Sequence, residues 1–224
     1  MGVISREQFL QQQKRKAEIA AGNFEAQSGP RIGYFSLKND EDESVVRFIY
    51  SDDEQIYNDI VITHRTTIDG KFRRVNCLRD YNEPFDKCPL CKAGDQNQQR
   101  LYIKLIEYTR DEDGNIVATP KIWERPTSYV GILMDKYAEY GSLKDNIFKV
   151  KRHGVAGDMK TTYSINFANP QIYNSELYPA DFSAFDNYKI VGSAVVDKSY
   201  DELVELAGGQ PAEQPAAAPR KVTY

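Results

Sequence analysis

The chain has 224 residues, 41% of them hydrophobic and 28% charged, and a formal net charge of −4. That length suits one large domain or two small ones, and that composition suits a soluble globular protein rather than a fibrous or unstructured one. No apolar run approaches the roughly 20 residues that cross a bilayer, and the first residues lack the apolar stretch of a secretory leader, so a cytoplasmic location without a membrane partner is expected. The negative total argues against a nucleic-acid binder, but the distribution matters more than the sum. Lys14, Arg15 and Lys16 cluster near the start; Arg65, Lys71, Arg73, Arg74, Arg79, Lys87 and Lys92 enrich the middle; and acids dominate later, from Glu176 to Glu205.

In chain order, Ser5 can cap a helix over 5–21, with Gln8 at the capping-box position and Gly22 as its terminator. With little beyond Phe9, Leu10 and Ile19 to bury, that segment is expected to stay mobile or to pack on another molecule. Gly29, Pro30 and Gly33 mark residues 23–33 as a linker. Strands are predicted at Tyr34–Leu37, Ser44–Tyr50, Ile60–Thr67 and Lys71–Cys77, the last two joined by an Asp69-Gly70 hairpin turn. A loop over 77–92 carries all three cysteines. Leu101–Thr109 and Asn115–Trp123 form a second hairpin around Asp113-Gly114, and Ser128–Tyr140 has helical apolar spacing. Strands follow at Asn146–Arg152 and Thr161–Phe167. Residues 170–188, rich in Asn, Pro and Asp, read as irregular, and Ser199–Ala207 reads as a short helix. These short strands and few helices point to a mainly β, OB-fold-like barrel with an inserted zinc-binding subdomain and peripheral helices. The expected division is a helical segment over 1–22, a core over 23–200 that includes the zinc loop 64–92, and a flexible tail over 201–224.

Cys88-Pro-Leu-Cys91 is the strongest chemical signal, because two thiolates at that spacing face one metal. Cys77, eleven residues before Cys88, supplies a third. The hairpin turn brings His64 within reach of Cys77, which makes His64 the expected fourth ligand, with Asp80 or Asp86 as the alternative. Four protein ligands leave no open position, so one structural Zn2+ is expected. The competing readings are a redox pair, for which the surrounding βαβ pattern is missing, and plain buried thiols.

Rings and cations interleave along the chain: Phe72 with Arg73 and Arg74 near Arg65, Tyr102 with Lys104, Tyr108, Trp123 between Lys121 and Arg125, Tyr129, and then Lys149, Lys151 and Arg152 after Phe148. On a strand, Tyr102, Lys104 and Tyr108 share one face while Leu101, Ile103 and Leu105 share the other. That predicts an outward surface of stacking rings and phosphate-pairing cations, as a sequence-tolerant single-strand binder requires.

Four stretches carry a resemblance to the single-stranded-DNA-binding, helix-destabilising proteins of T-even bacteriophages: residues 14–21 (KRKAEIAA), residues 44–49 (SVVRFI), the order His64, Cys77, Cys88, Cys91, and Thr127-Ser128-Tyr129. The likeness spans roughly residues 10–135, and the metal order is its most specific part. It implies an OB core, a structural zinc, cooperative coating of single strands in an infected bacterial host's cytoplasm, self-association through Lys14, Arg15 and Lys16, and recruitment of replication proteins such as a polymerase or helicase loader. The family's acidic tail is not matched: residues 219–224 read PRKVTY. Two rival functions stand beside this one. An enzyme is disfavoured because no P-loop, H-E-x-x-H or phosphate-cradling loop occurs and His153 is the only remaining histidine. A zinc-knuckle protein–protein adaptor of a replication or transcription complex fits the net acidity and a closed Cys3His site.

Overall fold

In the computed structural model, residues 32–158, 160–174 and 177–208 are described. The expected helix over 5–21, Lys14, Arg15 and Lys16, and most of the tail lie outside them. Eight strands form one mixed sheet: β1 (Gly33–Tyr34), β2 (Glu43–Phe48), β3 (Ile60–Ile68), β4 (Lys71–Asn76), β5 (Asn97–Arg110), β6 (Ile116–Pro126), β7 (Phe148–His153) and β8 (Thr162–Phe167). The helices include α1 (Glu54–Asn58), α2 (Pro89–Lys92), α3 (Ser128–Tyr140) and α4 (Tyr200–Leu206). None among the described residues is long and apolar enough to cross a membrane.

β5 is the spine. One edge pairs antiparallel with β6 from Arg100 to Arg110. The other edge is shared, with β3 taking Asn97–Leu101 and β2 taking Leu105–Tyr108. Where those two neighbours part, the backbone needs other partners. Tyr102 N–H donates to Asp59 O, Lys104 N–H donates to the Tyr50 hydroxyl, and that hydroxyl donates to Asp59 Oδ2. Lys104 Nζ closes the gap at 2.7 Å from Asp59 Oδ1. Burial pushes the Asp59 carboxyl above its usual range, and Lys104 opposes that shift.

The ladder runs β1-β6-β5-β2-β7-β8, with β3 and β4 branching from β5, and it stays open. β1 pairs parallel with β6 and is shorter than the expected Tyr34–Leu37 strand, although Phe35 N–H still donates to Ile122 O. The Asp69-Gly70 hairpin forms as expected. Both residues have positive φ, 50° and 71°, the combination that a two-residue turn of this hand demands. The second hairpin forms too, with Asp111 Oδ1 accepting from the Asp113 and Asn115 N–H groups.

Both faces of β5 are buried. Leu101, Ile103 and Leu105 enter one core with Trp123, Phe35, Phe48, Phe148 and, from α3, Val130 and Leu133. Tyr102, Ile106 and Tyr108 enter a second core with Ile122, Tyr178, Phe185, Ile190 and Val195. The irregular stretch after β8 is therefore a cover over that face. A third, smaller cluster joins Val75, Cys88, Leu90 and Cys91 to Leu203 of α4. Residues 201–207 are thus packed, contrary to the flexible tail expected from 201 onward. Ser199 accepts from Glu202 N–H in a capping box that starts α4, and Leu203 docks the helix.

Candidate metal centre and the expected binding residues

His64 lies in the middle of β3, flanked by Val75 of β4 and Asn97 of β5. Strand alternation aims its ring at the cysteine loop. Cys77 follows the end of β4, where its N–H donates to Ile62 O. Cys88 is the N-cap of α2, and Pro89 at the first helical position lets the chain turn at once into the helix that carries Cys91. The backbone at Ala93 and Gly94 closes the knuckle onto Pro89 O and Cys91 O.

The four ligand atoms lie within 4.8 Å of one another. His64 Nε2 is 3.5 Å from Cys88 Sγ and 3.4 Å from Cys91 Sγ, and Cys77 Sγ is 3.6 Å from Cys91 Sγ. A tetrahedral ion about 2.3 Å from sulfur and about 2.0 Å from nitrogen spaces its ligands roughly 3.5–3.8 Å apart. The fit is close, so these side chains can hold one metal ion, and all three thiols are unbridged. Asp80 and Asp86 are not members of the cluster, which resolves the fourth ligand in favour of His64.

The surroundings suit that role. Burial lowers the His64 pKa, with Asp95 pulling the other way, so the neutral, ligating imidazole dominates at neutral pH. His64 Nδ1 sits 3.2 Å from Asp95 Oδ2 but is poorly aligned for a hydrogen bond, and no other acceptor is within reach of that buried atom among the described residues. A carboxylate behind a ligating imidazole fixes its tautomer and orientation. Asn97 Nδ2 donates to the Cys77 and Cys91 sulfurs. Burial works against the Cys88 thiolate, but the N–H groups of Cys91, Leu78 and Leu90 outweigh it and hold that thiol below its ordinary value. Burial pushes Cys77 up to about 12.

The expected binding residues separate into two groups. Tyr102, Tyr108 and Trp123 are buried, so they are core rings and not an open stacking platform. The reason is the cover over the Tyr102 face and the packing of Trp123 against Phe35. Several cations are paired internally. Lys104 binds Asp59, Arg74 meets Glu124 at 2.6 Å, Lys149 meets Glu43 at 2.7 Å, Lys151 meets Glu41, and Lys121 lies 4.0 Å from Glu107. Arg152 donates to the Leu37, Gly154 and Val155 carbonyls.

The second group stays available. The Arg65 guanidinium lies 4.7 Å over Phe72, a ring that is 69% exposed, and Arg73 is exposed beside it. Arg125 and half-buried Tyr129 meet at the start of α3. Sequence reasoning missed a matching pair in the cysteine loop. Arg79 lies 4.3 Å over Phe85, which is 65% exposed, and Tyr81 close by in the chain is 71% exposed. The signal was available, because rings spaced between metal ligands in a short loop have little core to enter. No family model matches the chain, and no curated protein matches it.

Proposed function

We propose that the protein is a sequence-nonspecific single-stranded-DNA-binding protein that coats DNA during phage replication, recombination and repair, and that it catalyses nothing. In this reading the sheet acts as an OB-like scaffold, the ion is a single structural zinc, and the chain resembles the T-even phage binders. Three thiols and an imidazole are the donor set zinc favours, and four protein ligands leave no position for a reacting water.

One observation carries the reading. Two exposed rings, Phe72 and Phe85, each lie under an arginine on the metal-stapled part of the chain. Residues 65–92 hold seven cations against Asp69, Asp80, Glu83 and Asp86, although the whole chain is net negative. Rings supply sequence-tolerant stacking at about 1–3 kcal/mol per base, and cations supply the salt-dependent hold on phosphates. Self-association through Lys14, Arg15 and Lys16 and recruitment of a polymerase or helicase loader rest on the resemblance alone.

Fluorescence anisotropy of labelled single- and double-stranded oligonucleotides across a salt series tests the proposal. Tighter single-strand binding that weakens steeply with salt is expected, and Phe72→Ala with Phe85→Ala should lose about tenfold or more, in line with the stacking energies above. No preference for single strands in dilute buffer overturns it. Exposed Leu78 and Tyr81, which carry no stacked cation, would then favour the protein–protein adaptor.

A further inference from the structure

Three rings frame the guanidinium of Arg125 near the end of β6. Its central carbon lies 4.0 Å from the Tyr163 ring centroid, 4.5 Å from Trp123 and 5.7 Å from Tyr129. The rings brace one another edge to face, Trp123 at 5.3 Å from Tyr163 and 5.5 Å from Tyr129. Arg152 anchors Tyr163 from behind, donating through Nη1 to its hydroxyl at 3.2 Å, and its other donors go to backbone carbonyls and Thr161. The frame is therefore set before any ligand arrives.

What the frame leaves over is the hydrogen-bonding capacity of the guanidinium. Every other partly or fully buried arginine among the described residues, namely Arg47, Arg74, Arg79, Arg100 and Arg152, donates to an acceptor. Arg125 donates to none there, and its Nε is closed off from solvent without a partner. Its neighbour Glu124 is already engaged by Arg74 and Arg100. Trp123 Nε1, in the same cluster, is a second buried donor without an acceptor. A buried charged donor left unmatched is costly. With Nε closed off, the two Nη groups are the donors left for a ligand, and such a planar fork matches two oxygens of one tetrahedral or planar anion.

We propose that Arg125 is the receptor for one phosphodiester of the bound strand, held for bidentate contact by Trp123, Tyr129 and Tyr163. The ligand class rests on the single-strand reading above, while the anion site rests on Arg125 itself. A second guanidinium, Arg152, stands 6.0 Å from the same Tyr163 ring and adds positive field for the single negative charge of a phosphodiester. Lysine at position 125 would keep the charge and lose the fork.

The test has two arms. In oligonucleotide binding, Arg125→Lys should weaken affinity about tenfold, and Arg125→Ala should also flatten the slope of log affinity against log salt by about 0.7, the value for one single-strand phosphate. Variants that bind like the wild type overturn the proposal. In the second arm, wild-type protein is titrated with inorganic phosphate, acetate or chloride while the Arg125 Nε–H and indole N–H resonances are followed; a single tryptophan gives a single indole signal. Shifts with phosphate and with acetate, and none with chloride, are expected. No shift with phosphate, or an equal shift with chloride, overturns the receptor even if the variants fold poorly. A phosphate shift in a protein that ignores oligonucleotides supports the receptor and removes the single-strand reading, so the two failures are told apart.

Discussion

Along β5, Leu101, Ile103 and Leu105 enter one core and Tyr102, Ile106 and Tyr108 enter another, so the strand's centre is held by apolar burial on both sides. At its start the same strand borders the cysteine loop, where the third cluster has five buried members and two of them are cysteines of the candidate metal site. The difference separates two ways of ordering a chain. The sheet carries enough hydrophobic area to fix itself, at about 25 cal/mol per Å² buried. The loop over 77–97 has little such area; Leu203 of α4 joins its small cluster, and four donors are placed where one ion could clamp it.

The strongest way to break that comparison is to remove the metal site. Purified protein is expected to carry one equivalent of metal and Cys91→Ser much less. Strong chelation should erase hydrogen-exchange protection over 60–97, since structural zinc in small domains contributes on the order of 10 kcal/mol. Protection across β5 at residues 101–108 and β6 at residues 118–125 should survive; its simultaneous loss would mean that the two regions are one unit. A second variant probes the other side. Trp123→Ala should cost about 3–5 kcal/mol in denaturant unfolding, as large aromatic truncations in cores do, while metal content stays at one equivalent. The smallest effect sharpens the boundary at α4. A hydrogen bond from Lys198, with one from the Ser199 N–H, holds the Glu202 carboxyl at about 2, below its ordinary 4.5. A lowered folded-state pKa gives stability that is present above about pH 4.5 and lost as pH falls toward 2. The pair is largely solvent-screened, so Glu202→Gln should cost under about 1 kcal/mol at pH 7, and the difference should shrink steadily as pH falls toward 2 in paired thermal melts.

Much of the sheet was legible because hairpins write themselves locally. Asp69-Gly70 and Asp113-Gly114 sit between alternating strands, and turn chemistry alone fixes both pairings. The ligand set was legible for a similar reason: the hairpin that joins His64 to Cys77 is local, and Cys88 and Cys91 share one helical turn. What the sequence hid is long-range cover. Tyr, Lys, Ile and Tyr at positions 102, 104, 106 and 108 look like a half-wet strand face, because tyrosine and lysine are amphipathic. Only the later residues Tyr178, Phe185, Ile190 and Val195, in a stretch with no regular period, reveal that the face is closed. The same blindness hid the pairing of Lys104 with Asp59, whose partner lies in another element.

The segment after β8 ends by gripping the metal loop from outside. Val196 exchanges backbone hydrogen bonds with Arg74 and Asn76, the Asn76 side chain is bonded on both sides to the Lys198 backbone, and Leu203 beds against Leu90 and Cys91. Any ion in the site is therefore roofed by a helix as well as chelated. Lifting that helix would strip Leu90 and Cys91 of their backing, so the off-rate of the metal would rise with how often the C-terminal helix breathes.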